Sequence, residues 1–311
     1  MIEIVSILDW VLFVCSGISV AYLCFFAFLS LNVQPHPYPK SKKKSRILVL
    51  FPAHKEDQVI ELSVQSFLKQ DYPKELYHLV VISDQMQEET LERLKNYPIE
   101  ILPIENKNKT KAKALQLAVQ GFHKEEFDVV AILDADNIVQ TDFLSLINNA
   151  YHAGVQAMQG QRIAKNSQTD TALLDAAREA MNNSFFRKGQ IQIGFSATLS
   201  GSGMAFDFKW FQQHIHLVTT AGEDKELEKI LLKQEIFIDY IDELLVFDEK
   251  TADTESFSRQ RRRWLAAQYG TLKRALNDLP GAIFTRNSDY CNKLFQWMML
   301  PRVLLLGLIV C

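Results

Sequence analysis

The 311-residue chain has no Cys-x-x-Cys pair, no glycine-rich phosphate loop of the Walker or dinucleotide type, no Gly-x-Ser-x-Gly elbow and no histidines at metalloprotease spacing. These absences argue against P-loop ATPases, Rossmann dehydrogenases, α/β-hydrolase esterases and zinc peptidases. Cysteine is scarce, and all four lie in or beside apolar runs: Cys15 and Cys24 at one end, Cys291 and Cys311 at the other. That placement indicates neither a disulfide framework nor a zinc site, and a reducing compartment fits the central domain. A dominant charge is also lacking. Lysine plus arginine number 34 against 37 acidic residues, a net charge of −3, which gives no field suited to a nucleic-acid partner. Internal repeats and low-complexity tracts are absent as well.

What is present begins with the ends. From Trp10 to Leu31 there is no charged side chain, enough to cross roughly 30 Å of hydrocarbon as a helix. Residues 1–33 are expected to be a transmembrane anchor. A cleaved signal peptide is the competing reading, but Glu3 and Asp9 stand where a basic leader would be, and no clear small-x-small cleavage site precedes Gln34. The cluster Lys40-Ser41-Lys42-Lys43-Lys44-Ser45-Arg46 follows within a 34–46 linker, and the positive-inside rule places it in the cytoplasm. Attraction to anionic lipid is the other job such a cluster does. At the far end, 271–311 reads as an interfacial helix, Leu294 to Leu300, turning into a short apolar run, Val303 to Cys311. The expectation is the start of a second span, with further transmembrane helices in a longer protein.

Between the ends, apolar runs alternate with amphipathic stretches. Strands are expected at 47–51, 79–83, 99–103 and 128–133, with helices near 59–67, 88–96 and 111–122. This alternation predicts an α/β domain over 47–270, with a mostly parallel, Rossmann-like sheet and helices on both faces. Ligands in such sheets bind beyond the carboxyl ends of the strands. After Asp136 the pattern loosens into helices near 143–150 and 172–186, a Gly201-Ser202-Gly203 turn, a charged helix at 223–232, a short strand at 236–241 and an arginine-rich helix at 259–266.

Polar residues cluster on the expected rim: Pro52 to Glu56, Asp84, and Asp134-Ala135-Asp136. Two carboxylates directly after a buried strand suit a hard divalent ion, Mg²⁺ or Mn²⁺, completed by substrate phosphate. An Asx-type turn would use the same two residues. Gly222-Glu223-Asp224 opens a helix as a capping acidic pair or as a general base for a sugar hydroxyl. In Gln260-Arg261-Arg262-Arg263-Trp264, guanidinium forks suit a diphosphate and the indole a sugar face, while a basic membrane-surface helix or a nucleic-acid patch would use the same residues. No aromatic interleaving supports the nucleic-acid reading. Lys111 joins a phosphate-ready charge to a helix start, among the solvated lysines 107, 109 and 113.

In this order, D, D-x-D, E-D and Q-x-x-R-W resemble the processive branch of glycosyltransferase family 2, which includes cellulose, chitin, hyaluronan and poly-N-acetylglucosamine synthases. The resemblance runs over essentially the whole chain and implies a GT-A fold and inverting transfer from a nucleotide sugar, UDP favoured, with Mg²⁺ or Mn²⁺. It implies that Asp84, Lys111 and Asp134 hold the nucleotide, together with Pro52 and Glu56, and that Asp136 with Asp134 holds the metal. Asp224 would be the base, Gln260, Arg263 and Trp264 would steady diphosphate and acceptor, and Gly201, Ser202, Gly203 and Glu223 would flank the acceptor. The chain departs from the family where Lys55 replaces a usual Asn, where Asp84 lacks a second acidic neighbour, and where Gly222 replaces a frequent Thr.

The expected partners are a nucleotide sugar, a glycan or lipid acceptor, the inner membrane with the catalytic domain on its cytoplasmic side, further membrane subunits, and no nucleic acid. Polysaccharide synthesis is the implied process. Alternatives are a non-processive lipid-linked sugar synthase, a nucleotidyl transferase, and a non-catalytic nucleotide-binding membrane subunit.

Overall fold

The computed structural model describes residues 2–31, 38–104, 110–250 and 254–299. The expected second span beyond residue 300, and Lys107 and Lys109, lie outside the described residues.

The chain opens with α1 (Ile2–Leu31), continues through β1 (Ile47–His54), α2 (Ile60–Phe67), β2 (Tyr77–Asp84), α3 (Glu88–Leu94), β3 (Glu100–Pro103), α4 (Lys111–Gln120) and β4 (Val129–Ile132), then a two-residue β5 (Ile138–Val139) and α5 (Phe143–His152). The second half comprises β6 (Ala157–Ala164), α6 (Asp170–Asn183), a π-turn, α7 (Gly189–Ile191), β7 (Met204–Asp207), α8 (Phe208–His214), α9 (Glu223–Lys233), β8 (Ile238–Asp248), α10 (Thr254–Ala275), α11 (Leu279–Phe284) and α12 (Ser288–Met298).

Apolar runs become strands because both faces of the sheet are covered. In β1, Ile47, Val49 and Phe51 enter one core with Ile60, Val64 and Phe67 of α2, while Leu48 and Leu50 enter the opposite core with Ala112, Leu115 and Val119 of α4. The same alternation runs through β4, where Val129 and Ala131 face one core and Val130 and Ile132 the other. Each fully buried large side chain contributes about 1.5–3 kcal/mol relative to exposure. A third, smaller core of Leu232, Ala275, Ala282, Tyr290, Leu294 and Trp297 joins α9 to the C-terminal helices.

The eight-stranded sheet has the order β3-β2-β1-β4-β7-β6-β8-β5. Strands β1 to β4 pair in parallel as expected, β1 with β2 and β4, and β2 with β3. The rest corrects the expectation of a mostly parallel sheet: β7 runs antiparallel to β4 and β6, and β5 antiparallel to β8, with only β6 and β8 parallel. The sheet is mixed. Its second half was missed in sequence because β7 has four residues, β5 two, and β6 reads Ala-Met-Gln-Gly-Gln-Arg-Ile-Ala, without an apolar run. Gly160 marks a register shift against β8, where a Cβ would fall 2.6 Å from the Leu244 carbonyl oxygen. The strand expected at 236–241 begins at Ile238 and runs to Asp248.

Among the described residues, one helix stretch, Asp9–Leu31, is long and apolar enough to cross a membrane. Its C-terminal part docks on the domain. Phe26 is buried, and a Cβ on Gly189 would fall 2.3 Å from the Phe26 carbonyl oxygen, so glycine permits that approach. The Tyr22 hydroxyl donates to Asn292 at 2.7 Å and accepts from Gln296 at 3.0 Å, tying α1 to α12. In α12, which overlaps the segment expected as an interfacial helix, Lys293, Leu294 and Trp297 are buried, while Met298 is exposed.

Candidate active site

The carboxyl ends of β1, β2 and β4 converge on one rim, as parallel pairing requires. Lys55 and Gln85, just past β1 and β2, have φ of 58° and 57°, the left-handed conformation that non-glycine residues rarely adopt. The Lys55 amide donates to the Asp84 carbonyl at 3.2 Å, locking the two strand ends together. One Asp84 carboxylate oxygen pairs with His54 Nδ1 at 2.9 Å, and the other is buried without a hydrogen-bond partner among the described residues. An orphaned buried acceptor is costly unless a ligand or water satisfies it.

Beyond β4, Asp134 and Asp136 sit in a turn closed by the Asn137 side chain, which accepts from the Asp134 amide at 3.0 Å and donates to Asp136 at 3.0 Å. The turn is held by Asn137 and leaves both aspartates on the rim. Lys111, at the first position of α4 behind the Thr110 cap, forms an ion pair with Asp134, donates to the Gly201 carbonyl at 2.7 Å and lies 3.8 Å from Glu223. Burial alone would depress the Lys111 ammonium, but Asp134 and Glu223 outweigh it and hold its pKa up. Burial likewise works against the Asp134 carboxylate, and Lys111 and Arg162 overcome it, so Asp134 stays below the usual range. Asp136 goes the other way, raised by burial and by the charge of Asp134. Glu56 is raised by burial and by both aspartates.

A cleft of about 510 Å³ opens at this rim. Of the residues expected from sequence, Pro52, Glu56, Asp134, Asp136, Gln260, Arg263 and Trp264 line it. Residues 260, 263, 264 and 267 share one face of α10. Ala267, the last of them, packs on Gly222 at the start of α9, where a Cβ would fall 2.7 Å away. That contact sets the first turn of α9, carrying Glu223 and Asp224, beside the arginine face of α10. Asp84, Lys111, Gly201, Ser202, Gly203, Glu223 and Asp224 do not line the cleft; Lys111 and Glu223 connect to it through Asp134. Burial, opposed by Lys111 and reinforced by Asp224, raises the Glu223 carboxyl to about 7. The Asp224 side chain is 21% exposed, open enough to meet a substrate, and accepts from the Lys225 amide at 2.8 Å.

Sequence reasoning missed Arg162, Arg178, Glu179 and Asp248, which also line the cleft. They come from β6, α6 and β8, where no motif flags them. Arg162, Glu179 and Asp248 belong to a row of contacts on the Thr198–Gly201 segment, and Arg178 pairs with Asp175. Four successive carbonyls each accept from a different cation: Thr198 from Arg187 at 3.0 Å, Leu199 from Lys225 at 2.9 Å, Ser200 from Arg162 at 2.9 Å, and Gly201 from Lys111 at 2.7 Å. Each cation also faces a carboxylate: Arg187 meets Glu179 at 2.7 Å, Lys225 lies 3.7 Å from Asp224, Arg162 pairs with Asp248, and Lys111 with Asp134. One extended segment thereby spaces the charged groups around the cleft.

Among the described residues no three His, Cys, Asp or Glu side chains converge as a metal cage made by protein alone. Asp134 and Asp136 nevertheless fit an ion that takes one or two carboxylates and completes its shell with water and phosphate. After burial, Asp136 and Asp134 push Glu56 toward protonation, a crowding of negative charge that a divalent cation would relieve.

Solved structures of similar fold include the mannosyltransferase PcManGT from Pyrobaculum calidifontis in complex with GDP-Man and Mn²⁺, with a TM-score of 0.67 at 15% identity over 91% of this chain and 81% of that one. Residues 1–349 of S. aureus TarS, in complex with UDP-GlcNAc, give a TM-score of 0.53 at 14% identity over 75% of this chain and 67% of that one. In sequence, 99 residues are 28% identical to YdaM of Bacillus subtilis (strain 168), described as a probable glycosyltransferase; the match spans 30% of this chain and 23% of YdaM. Residues 45–267, from the start of β1 through the arginine-rich turn of α10, match the family described as glycosyltransferase like family 2, and the chain belongs to that family.

Proposed function

We propose that this glycosyltransferase transfers a sugar from a nucleotide-sugar donor, a UDP-sugar by preference, to a glycan or lipid acceptor, with inversion at the anomeric carbon, at the cytoplasmic face of a membrane. The observation that carries the reading is the convergence of Asp134, Asp136, Gln260, Arg263 and Trp264 on one cleft, with Lys111 bound to Asp134 at its edge. The structural neighbours in complex with GDP-Man and Mn²⁺ and with UDP-GlcNAc support a nucleotide-sugar donor and a divalent ion. The orphaned Asp84 oxygen supplies an acceptor for a nucleobase N–H at the end of β2.

In this reading Asp224 removes the proton from the acceptor hydroxyl as its oxygen attacks the anomeric carbon, and the bond to the diphosphate oxygen breaks on the opposite side. Lys111 and Arg263 take up the charge of the departing diphosphate, and Gln260 and Trp264 hold the acceptor. A Mg²⁺ or Mn²⁺ ion held by Asp136 and Asp134 would add electrostatic stabilisation of that leaving group. General-base assistance contributes about 10²–10⁴-fold, and positioned charges several kcal/mol more. The membrane-spanning reading of α1 and a role in polysaccharide synthesis belong to the same proposal; the retained Asp224 and Arg263 favour catalysis over a nucleotide-sensing role.

The test is diphosphate release from a panel of nucleotide sugars by membranes carrying the full chain, with Mn²⁺ or Mg²⁺ and then with chelator. Metal-dependent release from one donor, reduced about 10²–10⁴-fold in Asp224→Asn with UDP affinity unchanged, is expected. Release that survives Asp224→Asn would reject the assignment of the base.

A further inference from the structure

We propose that Lys293, in α12 and beyond the stretch that matches the family, is a positioning residue for the catalytic base; the proposal rests on the reading of Asp224 as that base. Lys293 and Glu228 are both fully buried, and their charged atoms lie 3.0 Å apart. Glu228 also meets Lys225 at 3.4 Å, and Lys225 lies 3.7 Å from Asp224. The four side chains form a string of alternating charge: Lys293, Glu228, Lys225, Asp224.

Two cations serve one buried carboxylate in this string, and the surplus has a use. With Lys293 neutralising Glu228, the Lys225 ammonium is shared between Glu228, the Leu199 carbonyl at 2.9 Å and Asp224. Both cations hold Glu228 below the usual carboxylate range against its burial. Without Lys293, Glu228 would be left with Lys225 as its one cationic partner in the string, and a buried carboxylate draws its remaining cation close. Lys225 would move away from Asp224, and the first turn of α9 would lose the ion that orients its base.

The same lysine anchors the acceptor-side segment. Lys293 donates to the Thr198 hydroxyl at 2.9 Å, Thr198 donates on to Gln296 at 3.3 Å, and Gln296 donates to Tyr22 of α1 at 3.0 Å. The Glu228 carboxylate accepts from the Leu199 amide at 3.2 Å. Thus α12 fixes both the turn bearing Asp224 and the backbone row at Thr198–Gly201, while reaching neither the cleft nor Asp134.

The experiment compares wild type, Lys293→Gln, the double variant Glu228→Gln/Lys293→Gln and Asp224→Asn, as full-length protein in membranes or detergent. It reads kcat and KM with the donor turned over by wild type, the Kd of UDP with Mn²⁺ by calorimetry, and Tm. The expected result for Lys293→Gln is a kcat lowered about tenfold, with donor KM and UDP Kd within about twofold of wild type; a factor of ten in rate corresponds to about 1.4 kcal/mol. The double variant, which also removes the carboxylate that would draw Lys225 from Asp224, is expected to recover both Tm and kcat. A kcat that stays low in the double variant although Tm recovers, an unchanged kcat in Lys293→Gln, or a parallel loss of UDP affinity would each overturn the proposal. Undiminished turnover in Asp224→Asn would instead reject the reading of the base.

Discussion

The guanidinium of Arg178 lies 4.3 Å from the ring centre of Trp264, so one face of the indole is already covered by a cation from α6. A stacked cation of this kind is worth about 0.5–2 kcal/mol. An acceptor sugar that uses Trp264 must take the other face or displace the arginine. A double-mutant cycle of Arg178→Ala and Trp264→Ala, read by urea denaturation, is expected to give a coupling energy of about 0.5–1 kcal/mol. Strictly additive losses would mean that the ring and the guanidinium do not interact.

Asp136→Ala should abolish the gain in UDP affinity that Mn²⁺ confers and lower turnover by roughly 100-fold or more, since a bound ion supplies several kcal/mol of charge stabilisation. Asp224→Asn should leave that gain intact. Calorimetric titration of UDP with and without Mn²⁺ separates the two, and a metal effect preserved in Asp136→Ala would remove Asp136 from the ligand set.

The Glu223 carboxyl titrates at about 7 in the fold, raised from 4.5 chiefly by burial. Between these values the unfolded chain gives up its proton while the folded chain keeps it, so the folded state binds more protons and stability falls as pH rises from about 4.5 to about 7. The loss is on the order of a few kcal/mol. In Glu223→Gln this part of the slope should vanish, with the variant gaining on wild type above pH 7. Denaturation curves across pH 4.5–8 measure it, and an identical slope in both proteins would refute the assignment.

Gly222→Thr, which restores the residue frequent in the family, should destabilise this chain by about 1–3 kcal/mol, because the new Cβ would fall 2.7 Å from the Ala267 Cβ. Ala267→Gly should relieve most of that cost in the double variant. Equal Tm values for Gly222→Thr with and without Ala267→Gly would show that the contact does not select glycine here.

The first half of the domain was legible because its strands are buried on both faces. Ile47 to Phe51 and Leu79 to Ile82 are unbroken apolar runs, and the residues ending them, Asp84 and the pair Asp134 and Asp136, fall on one rim. The second half was harder to read because β5 and β7 are short and β6 has polar residues where an apolar run would mark a strand. Arg162 stands inside β6 and Asp248 ends β8, where alternation gives no signal, and only sheet pairing brings them to the cleft. Lys293 drew no notice in sequence, since a sequence does not display the buried carboxylate it meets. The departure at Gly222 was visible without its cause, which is the methyl group of Ala267 forty-five positions later.

The row of carbonyls from Thr198 to Gly201 makes evolution and engineering face different constraints on identity and on length. Backbone oxygens accept from Arg187, Lys225, Arg162 and Lys111, so these four bonds do not depend on side-chain identity; Ser200, whose hydroxyl has no hydrogen-bond partner among the described residues, should tolerate alanine, whereas the Thr198 hydroxyl is held by Lys293, Leu199 is buried and Gly201 has a φ of 81°. Adding or deleting one residue would shift each carbonyl by about 3.3 Å against its cation. The segment behaves as a template whose informative variable is its residue count, and indel tolerance here should be near zero while Ser200 accepts substitution.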